Sequence, residues 1–500
     1  MRLRSAVVVL VGIFAALLAL HASVLRLLYF WDEAGYYIPA AYDFYRRGRL
    51  IPVSTLPTGH TPLLMVYLAL LWKLFGFSTL VTRSGMLLVA AATVFATLAL
   101  GQRVTRREVA MEAALLLALS PLFFAQSSLA QLDLPATLFT TLAIYELLVG
   151  AWTGFAVAAS LAVMTKETAV IFLLPAALHA WRRHDISRRR VWVSLLTPLA
   201  PLLLWTAYYH HYTGFWTGNA SYLQYNLYST LTPAHIFTGL LRRLYEILIA
   251  GFNWVLWLGA FAGVKWGHWH GDNIESDLLR GRQQGDFFFL TFSFAVTSVV
   301  FHSVIGGAVL SRYLLPVFPA LYLALVIWIN RLPRAAARSV VAGVAVLFVA
   351  AWFINPPYPF PYEDNLAYSE FIRLHQQAAR FLARQSGRPR ILTAWPATDE
   401  LSHPMLGYVN QPLRVVRIRG FSPADFQSVS PDSFDLLYLY SRQWNPPGNW
   451  LTHAPLLRRR IQRLFDYVPT VSGKSLAAHY HLHRMAVFRD RGQWVKIYAK

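Results

Sequence analysis

Long apolar runs separated by short loops constrain this chain more than any other feature. The first run covers residues 6–30, where one His and one Arg interrupt Val, Leu, Ala and Phe side chains. A helix needs about 20 apolar residues to cross a hydrocarbon core, so this run is long enough to span a membrane. Further apolar runs occupy residues 83–101, 109–126, 134–150, 151–165, 168–181, 191–209, 246–264, 286–306, 313–330 and 337–354. The pattern predicts an α-helical polytopic membrane protein with about eleven spans.

Composition supports this class and excludes others. The 500 residues are 56% hydrophobic and 14% charged, whereas charged residues make up about 25% of soluble proteins. The net charge of +21 does not indicate a nucleic-acid partner, because the basic residues lie mainly in short loops and the C-terminal tail. The absence of Cys excludes disulfides and thiolate chemistry. The first run exceeds the ~7–15 apolar residues of a signal peptide, so we expect it to be retained.

The short apolar segment at residues 61–75 decides the predicted topology. If it forms a surface helix, the positive-inside rule places the Arg-rich loops on the cytoplasmic side with Arg2 and Arg4. The opposite face then collects the loops that carry Asp32, His60, Asp133, Lys166 and Arg312. We therefore predict that these charged loops lie together on the external, non-cytoplasmic face of the membrane.

The composition changes after Asn355-Pro356-Pro357 to that of a soluble domain. Residues 366–385 have a helical pattern. Strand-like runs follow at residues 390–395, 412–418, 434–440, 484–489 and 494–498. We predict a transmembrane domain over residues 1–354 and an external α/β domain over residues 355–500.

Three carboxylates stand out because ionisable groups near a membrane core cost about 2.5–3.5 kcal/mol each. Asp32 and Glu33 follow the first apolar run directly, and Asp133 stands alone in a short loop. One interpretation makes them solvated acids or helix caps, with Asp133 at the start of a helix that Pro135 begins. The other makes them catalytic acids.

Basic and metal-ligating candidates lie in the same loops. Neighbours on a helix do not face each other, so Lys166 is available for an anion and Glu167 needs another partner. Arg312 offers a planar fork that suits a phosphate, although an interfacial Arg also snorkels. His60 is either an ordinary turn residue or a phosphate contact. His210 and His211 are weak candidates to bind a metal with Glu33, because adjacent His residues rarely ligate one ion together.

Several short motifs in a fixed order carry a family resemblance. They are the first-loop Asp-Glu followed by Tyr, an apolar surface helix, an Arg-rich loop, Leu-Ser-Pro-Leu-Phe, Asp-Leu-Pro, Thr-Lys-Glu-Thr and Arg-Tyr-Leu-Leu-Pro. Over residues 5–330 the chain resembles bacterial GT-C glycosyltransferases. It is most similar to protein O-mannosyltransferases, lipid A aminoarabinose transferases and galacturonosyltransferases of the lipopolysaccharide core.

The resemblance implies a membrane enzyme that moves a sugar from a polyprenyl-phosphate carrier to an external acceptor, usually with inversion. Asp32 matches the first-loop catalytic acid, Glu33 its neighbour and Asp133 the second-loop acid. Lys166 and Arg312 fall where basic residues meet the carrier phosphate.

Two further residues are predicted at the donor phosphate. They are Tyr36 and His60, the latter in His60-Thr61-Pro62, where the family often has Lys-Pro-Pro. No cofactor is required by this scheme, although a divalent cation is possible, and the partners are the lipid-linked donor, membrane lipid and an external lipid, glycan or protein acceptor.

The alternatives come from other classes of protein. A lipid-linked sugar transporter or flippase would also need many spans, but it predicts charges distributed through the membrane depth and interrupted helices. A silent scaffold would tolerate replacement of Asp32, Asp133 and Arg312. Because the conspicuous charges are predicted at one face, we expect chemistry there, with Asp32 as general base and Asp133 as a supporting acid.

Overall fold

A computed structural model of the protein describes residues 3–218, 220–270, 278–445, 454–465 and 467–500. Helices dominate it. The helices before residue 214 are α1 (Leu3–Leu20), α2 (Ile38–Arg47), α3 (Leu63–Phe75), α4 (Thr79–Val104), α5 (Arg107–Leu119), α6 (Pro121–Ser127), α7 (Asp133–Leu148), α8 (Trp152–Thr165), α9 (Leu173–Arg182), α10 (Arg189–Leu196) and α11 (Leu199–Thr213). The later helices are α12 (Ala220–Leu223), α13 (Pro233–Leu248), α14 (Asn253–His270), α15 (Leu278–Val304), α16 (Phe318–Ile329), α17 (Arg334–Ala351), α18 (Ala367–Ala383), α19 (Ala397–Ser402), α20 (Pro423–Phe426), α21 (Pro455–Leu464) and α22 (Gly473–Tyr480).

The predicted class, a polytopic helical membrane protein, is confirmed, but fewer helices than expected have full spanning length. Among the described residues, six segments are long and apolar enough to cross: Thr79–Val104, Arg189–Thr213, Pro233–Trp269, Gly281–Val304, Ser311–Ile329 and Arg334–Ala351. The pair α5 and α6, bent by 67°, would add a seventh. The estimate of eleven is higher because hydropathy counts apolar runs and not helix lengths. The runs at 134–150 and 151–165, for example, form helices of only 16 and 14 residues.

Helix α3 has the length predicted for a helix that does not cross. Its 13 residues rise about 20 Å, less than the ~30 Å of a hydrocarbon core. It packs against α2 and α4, and leaves Leu74 and Phe75 exposed. One face of α3 therefore packs on the neighbouring helices, and its position at the membrane surface stays a prediction.

Two breaks in the helical pattern shape the functional region. Gly251 (φ 59°) separates α13 from α14, where the sequence suggested one continuous run. A side chain there would be strained, and its Cβ would lie 2.7 Å from the Pro121 ring. Residues Ser311–Val317 form a 3₁₀ turn containing Pro316, which cannot donate a helical hydrogen bond. Both breaks place polar residues at the ends of apolar helices.

The C-terminal part contains the predicted strands in one five-stranded sheet. The strands are β1 (Arg390–Ala394), β2 (Arg414–Ile418), β3 (Leu436–Tyr440), β4 (His483–Asp490) and β5 (Gln493–Ala499), in the order β2-β1-β3-β5-β4. β1 runs parallel to β2 and β3, and β5 is antiparallel to β3 and β4. Helix α18 packs on β4 and β5.

Buried contacts connect this sheet region to the helical bundle. The Tyr408 hydroxyl donates to the carbonyl of Tyr29 at 2.9 Å, and the hydroxyls of Ser128 and Tyr368 are 2.9 Å apart. The Trp395 and Tyr36 rings also pack together, with centroids 5.3 Å apart. The sheet region therefore covers the first loop, and the proposed division at residue 354 stays a prediction.

Candidate active site

Four of the sequence-predicted site residues converge from separate helix ends. Asp32 directly precedes a π-helical turn at Glu33–Tyr37, and Asp133 is the first residue of α7. Lys166 directly follows α8, and Arg312 lies in the 3₁₀ turn before α16. Each is at a helix end or an irregular turn, where the backbone allows a polar side chain to leave the apolar packing.

The Arg312 guanidinium is the centre of this cluster. Its Nη2 donates to Oδ2 of Asp32, and its Nε lies 3.1 Å from Oδ2 of Asp133. Its Nη1 donates to Oε2 of Glu363 at 2.5 Å. A planar fork with five N–H donors can hold three carboxylates in this way, which a Lys ammonium on a single stem cannot.

Lys166 completes the arrangement from the other side. Its Nζ donates to Oδ1 of Asp133 at 2.5 Å. The carboxylate of Asp133 is thus held between Lys166 and Arg312, and it forms no helix cap, since the N-cap of α7 is Leu132 without a side-chain bond. The geometry favours a site residue over the capping alternative for Asp133.

Exposure separates the carboxylates of the cluster. The side chain of Asp32 is 15% exposed, whereas those of Asp133 and Glu363 are 2% and 4% exposed. Asp32 is therefore the acid best placed to meet a substrate. The carboxylates of Asp133 and Glu363 mainly hold the Arg312 guanidinium in position.

Glu363 is a member of the cluster that the sequence reasoning missed. It lies with Asp364 in a 3₁₀ turn after the last apolar run. Burial raises the pKa of Glu363 to about 7, against the lowering effect of Arg312, and the charges of Asp32 and Asp133 raise it further. The available signal was a second pair of adjacent acids, in the segment that follows the last apolar run.

Three cations surround the ring of Tyr313, the neighbour of Arg312. Lys166 Nζ lies 4.0 Å from the ring centroid, and the guanidinium carbons of Arg243 and Arg312 lie at 5.4 and 5.7 Å. Arg243, on α13, donates to Glu246 at 2.8 Å and to the carbonyl of Leu310 at 2.6 Å. Arg243 is fully buried, so these contacts fix its charge close to the site. The sequence signal was a charged Arg-Arg pair with Glu246 three and four residues later.

Glu33 has a different environment from its neighbour Asp32. It is fully buried, and its carboxylate accepts from the backbone N–H of Phe30 at 2.8 Å and of Ala130 at 2.6 Å. Arg83, a charge within α4 that the sequence reasoning did not select, contacts both carboxylate oxygens at 3.2 and 3.3 Å. These contacts connect the first loop to α4 and to the loop before α7. They indicate a positioning role, and the catalytic role assigned from the sequence stays a prediction.

His60 and Tyr36 have identifiable partners outside the Arg312 cluster. His60 Nδ1 lies 3.0 and 3.1 Å from the two carboxylate oxygens of Glu167, which thereby gains the partner it lacked on its own helix. Tyr36 packs against Trp395. Their contact with a donor phosphate stays a prediction.

The metal candidates do not form a centre within the described ranges. No group of three or more His, Asp or Glu side chains there has an arrangement suited to an ion. Glu33 pairs with Arg83, the His210 ring stacks on Trp216, and the His211 ring contacts Tyr212. A divalent cation stays a prediction.

A cavity of about 340 Å³ adjoins the cluster. Three polar side chains meet in its wall, where Ser311 Oγ lies 2.9 Å from Oδ2 of Asp364 and 3.2 Å from Oε1 of Glu246. The remaining wall is mostly apolar and aromatic, and includes Tyr245, Phe252, Trp254, Tyr322, Tyr358 and Phe465. Since Ser311 and Asp364 are the sequence neighbours of Arg312 and Glu363, this apolar cavity lies directly beside the charged cluster.

One family model matches part of the chain. The family model described as dolichyl-phosphate-mannose-protein mannosyltransferase matches residues 59–208, a segment that contains His60, Asp133 and Lys166. Among curated proteins, none matches the sequence.

Solved structures share the fold of nearly the whole chain. The crystal structure of ArnT from Cupriavidus metallidurans bound to undecaprenyl phosphate is 14% identical, with 98% of this chain and 97% of that chain covered at a TM-score of 0.57. Its apo state has the same identity and coverage, with a TM-score of 0.55. The oligosaccharyltransferase of Archaeoglobus fulgidus in the apo form overlaps less well, at 9% identity, 88% and 70% coverage and a TM-score of 0.49. The chain is therefore similar to this mannosyltransferase family over residues 59–208, and it shares its fold with ArnT.

Proposed function

We propose that the protein transfers a sugar from a polyprenyl-phosphate carrier to the hydroxyl of an external lipid, glycan or protein acceptor, with inversion at the anomeric carbon. The observation that carries the proposal is that Arg312 joins Asp32 and Asp133 while Lys166 holds Asp133 from the other side. Carboxylates and fixed cations thus share one site. The undecaprenyl phosphate bound to ArnT supports a donor of this class.

The cations stabilise the leaving group. As the bond between the sugar and the phosphate breaks, negative charge develops on the phosphate oxygen, and fixed donors in a partly dry site stabilise it best. Lys166 and Arg312 supply these donors, with Arg243 as a further buried cation beside the ring of Tyr313. The incoming phosphate replaces part of the carboxylate contacts that Arg312 and Lys166 make without it.

Asp32 is the general base. Arg312 bonds Oδ2 of this carboxylate and orients it, while its 15% exposure allows an acceptor to approach. The acceptor oxygen attacks the anomeric carbon, its proton passes to Asp32, and the bond from carbon to phosphate oxygen breaks. Polyprenyl phosphate leaves from the opposite side of the carbon, so a single displacement inverts its configuration.

The remaining elements hold the substrates. Asp133 positions Lys166 and Arg312. The apolar cavity of about 340 Å³ beside Ser311 accommodates part of a lipid chain. The sheet region, which covers the first loop through Tyr408 and Trp395, contributes to acceptor choice.

The site faces the external side of a bacterial inner membrane in this proposal. Three basic residues lie at helix ends that are separated in the sequence from the site residues. They are Arg103 near the end of α4, Arg182 at the end of α9 and Arg331 between α16 and α17. The positive-inside rule assigns these basic ends to the cytoplasm. The proposed reaction uses no cofactor, and a divalent cation stays a prediction.

Transport of a lipid-linked sugar is the second candidate. One observation favours it: α5 and α6 form a helix pair bent by 67°, and interrupted helices are typical of transporter binding sites. The charged cluster around Arg312 favours chemistry instead, because its carboxylates and cations are arranged for both proton acceptance and phosphate stabilisation.

One reconstitution experiment tests both candidates. The purified protein in liposomes is given a radiolabelled polyprenyl-phosphate sugar and a membrane extract as acceptor source, with Asp32→Asn in matched amounts as control. The proposal predicts labelled product and released polyprenyl phosphate for the wild type only. Movement of a fluorescent donor across the bilayer without sugar release would favour the transporter. Full activity of Asp32→Asn would remove Asp32 from the mechanism.

A further inference from the structure

Helix α13 has its apolar face outward. Its exposed large apolar side chains are Phe237, Leu241, Leu244 and Leu248, which recur at the spacing of one helix face. Its opposite face buries Arg242, Arg243 and Glu246 against the rest of the protein. A helix at a water surface would have the reverse pattern, so the outer face of α13 contacts lipid.

Helix α21 is held next to α13. The two helices pack together, and Phe465, the residue that follows α21, inserts against α13. Its ring lies 5.4 Å from the Tyr245 ring, edge to face, and 5.5 Å from the Arg242 guanidinium carbon. α21 is therefore fixed beside a lipid-facing helix, although it belongs to the C-terminal part of the chain.

The composition of α21 suits a membrane surface. Its ten residues, Pro-Leu-Leu-Arg-Arg-Arg-Ile-Gln-Arg-Leu, include four Arg and no acid. At 100° per residue, Leu457, Ile461 and Leu464 share the face directed toward the protein, where Ile461 and Leu464 are half-buried. The outward face carries Arg459, Arg460 and Arg463 around Leu456, which is 75% exposed. Within the described part of the chain, these three Arg side chains form no ion pair.

We propose that α21 docks on the anionic surface of the lipid bilayer, with its Arg side chains on phosphate headgroups and Leu456 in the interface. A basic helix with exposed Leu binds such a surface through both charge and apolar burial. Because α21 packs beside the lipid-facing side of α13, the bilayer that contacts α13 also reaches α21. Docking at α21 gives the sheet region a second attachment to the membrane, besides the chain connection at residue 354.

The absence of Cys makes the contact measurable. A single Cys is introduced at Leu456→Cys, labelled with a fluorophore and compared with Lys474→Cys, an exposed position on α22 in the same region. The full chain is placed in nanodiscs containing brominated lipid, with either phosphatidylglycerol or phosphatidylcholine. We expect stronger quenching at position 456 than at 474, an increase with phosphatidylglycerol, and a decrease at high salt.

Charge variants test the role of the arginines. In the Leu456→Cys background, each of Arg459→Gln, Arg460→Gln and Arg463→Gln should lower the ratio of docked to undocked helix by about fivefold. The matched control replaces three exposed Arg side chains of the same region, Arg380→Gln, Arg384→Gln and Arg484→Gln, and should leave the quenching unchanged. Equal quenching at 456 and 474, or no difference between the two lipids in the unmutated helix, would overturn the proposal whether or not the charge variants fold.

Discussion

Arg312 and Asp32 are 280 residues apart in the sequence and form a partly buried ion pair through Nη2 and Oδ2. The same guanidinium contacts Asp133 and Glu363, so the first loop, the start of α7 and the turn before α18 are all joined at one side chain. The contacts of Arg312 therefore determine both the stability of the region and the orientation of the proposed base.

Two replacements of Arg312 should distinguish the effect of its positive charge from the effect of its planar fork of donors. Arg312→Gln leaves three neighbouring carboxylates without their shared cation, so we expect a loss of about 3–5 kcal/mol in unfolding free energy and no transfer. Arg312→Lys restores one charge but not the fork, so it should recover part of the stability and little donor binding. Thermal unfolding in detergent and equilibrium donor binding measure the two effects. Wild-type donor affinity in both variants would argue against a phosphate contact at Arg312.

Glu33 should behave as a structural residue, in contrast to Asp32. Glu33→Gln disrupts the buried pair with Arg83, so unfolding free energy should fall by about 3–5 kcal/mol. The fraction that remains folded should still transfer sugar, because the proposed base is unchanged. Circular dichroism melting and activity per folded molecule, with Arg83→Met as a matched variant, measure this. A fully stable but inactive Glu33→Gln would instead support the catalytic role predicted from the sequence.

Stability should depend on pH through Glu363. Its pKa is raised from 4.5 to about 7, and that of its neighbour Asp364 from 3.8 to about 8, in both cases mainly by burial. The folded state therefore retains protons that the unfolded state has lost. Stability from these groups is fully present below their ordinary pKa values and is lost as pH rises through 7 to 8.

The melting temperature of the wild type should accordingly fall between pH 6 and pH 8.5, and the melting temperature of Glu363→Gln should fall less steeply. Over this pH range, the titration of one of these groups changes the unfolding free energy by at most about 3 kcal/mol. Glu108→Gln, at an exposed carboxylate near the start of α5, is the control and should follow the wild type. Identical pH slopes in wild type and Glu363→Gln would show that Glu363 does not titrate in this window.

The ring of Tyr313 should contribute to donor affinity by fixing Lys166 and Arg243 on its face. Tyr313→Phe keeps the aromatic face and should bind the donor nearly as well as the wild type. Tyr313→Leu removes the cation–π contacts, worth about 0.5–2 kcal/mol, so the donor Kd should rise roughly 2- to 30-fold. Isothermal titration with a polyprenyl-phosphate sugar measures this. Equal affinities of the Phe and Leu variants would exclude the aromatic contribution.

The sequence predicts the class of this protein and the strand positions well, because hydropathy and period-2 patterns are local. It also selects Asp32, Asp133, Lys166 and Arg312, which the fold brings together. It does not reveal where apolar runs break, as at Gly251, because such breaks depend on packing against other helices.

The sequence also does not show which residues pair with the charged side chains. Asp32 and Glu33 are neighbours with the same chemistry, yet one contacts Arg312 and the other is enclosed by Arg83 and backbone donors. Glu363 belongs to an acidic pair that is visible in the sequence, but only the tertiary fold shows that its partner is Arg312.

The account depends most directly on Asp32 as the general base. The decisive measurement compares single-turnover transfer and donor binding for wild type and Asp32→Asn, with donor saturating and folding checked by thermal melting. Because Asn preserves size but cannot accept the acceptor proton, we predict donor binding equal to or tighter than that of the wild type, and a transfer rate reduced by about 10²–10⁴-fold. A transfer rate within a few-fold of the wild type would contradict the account.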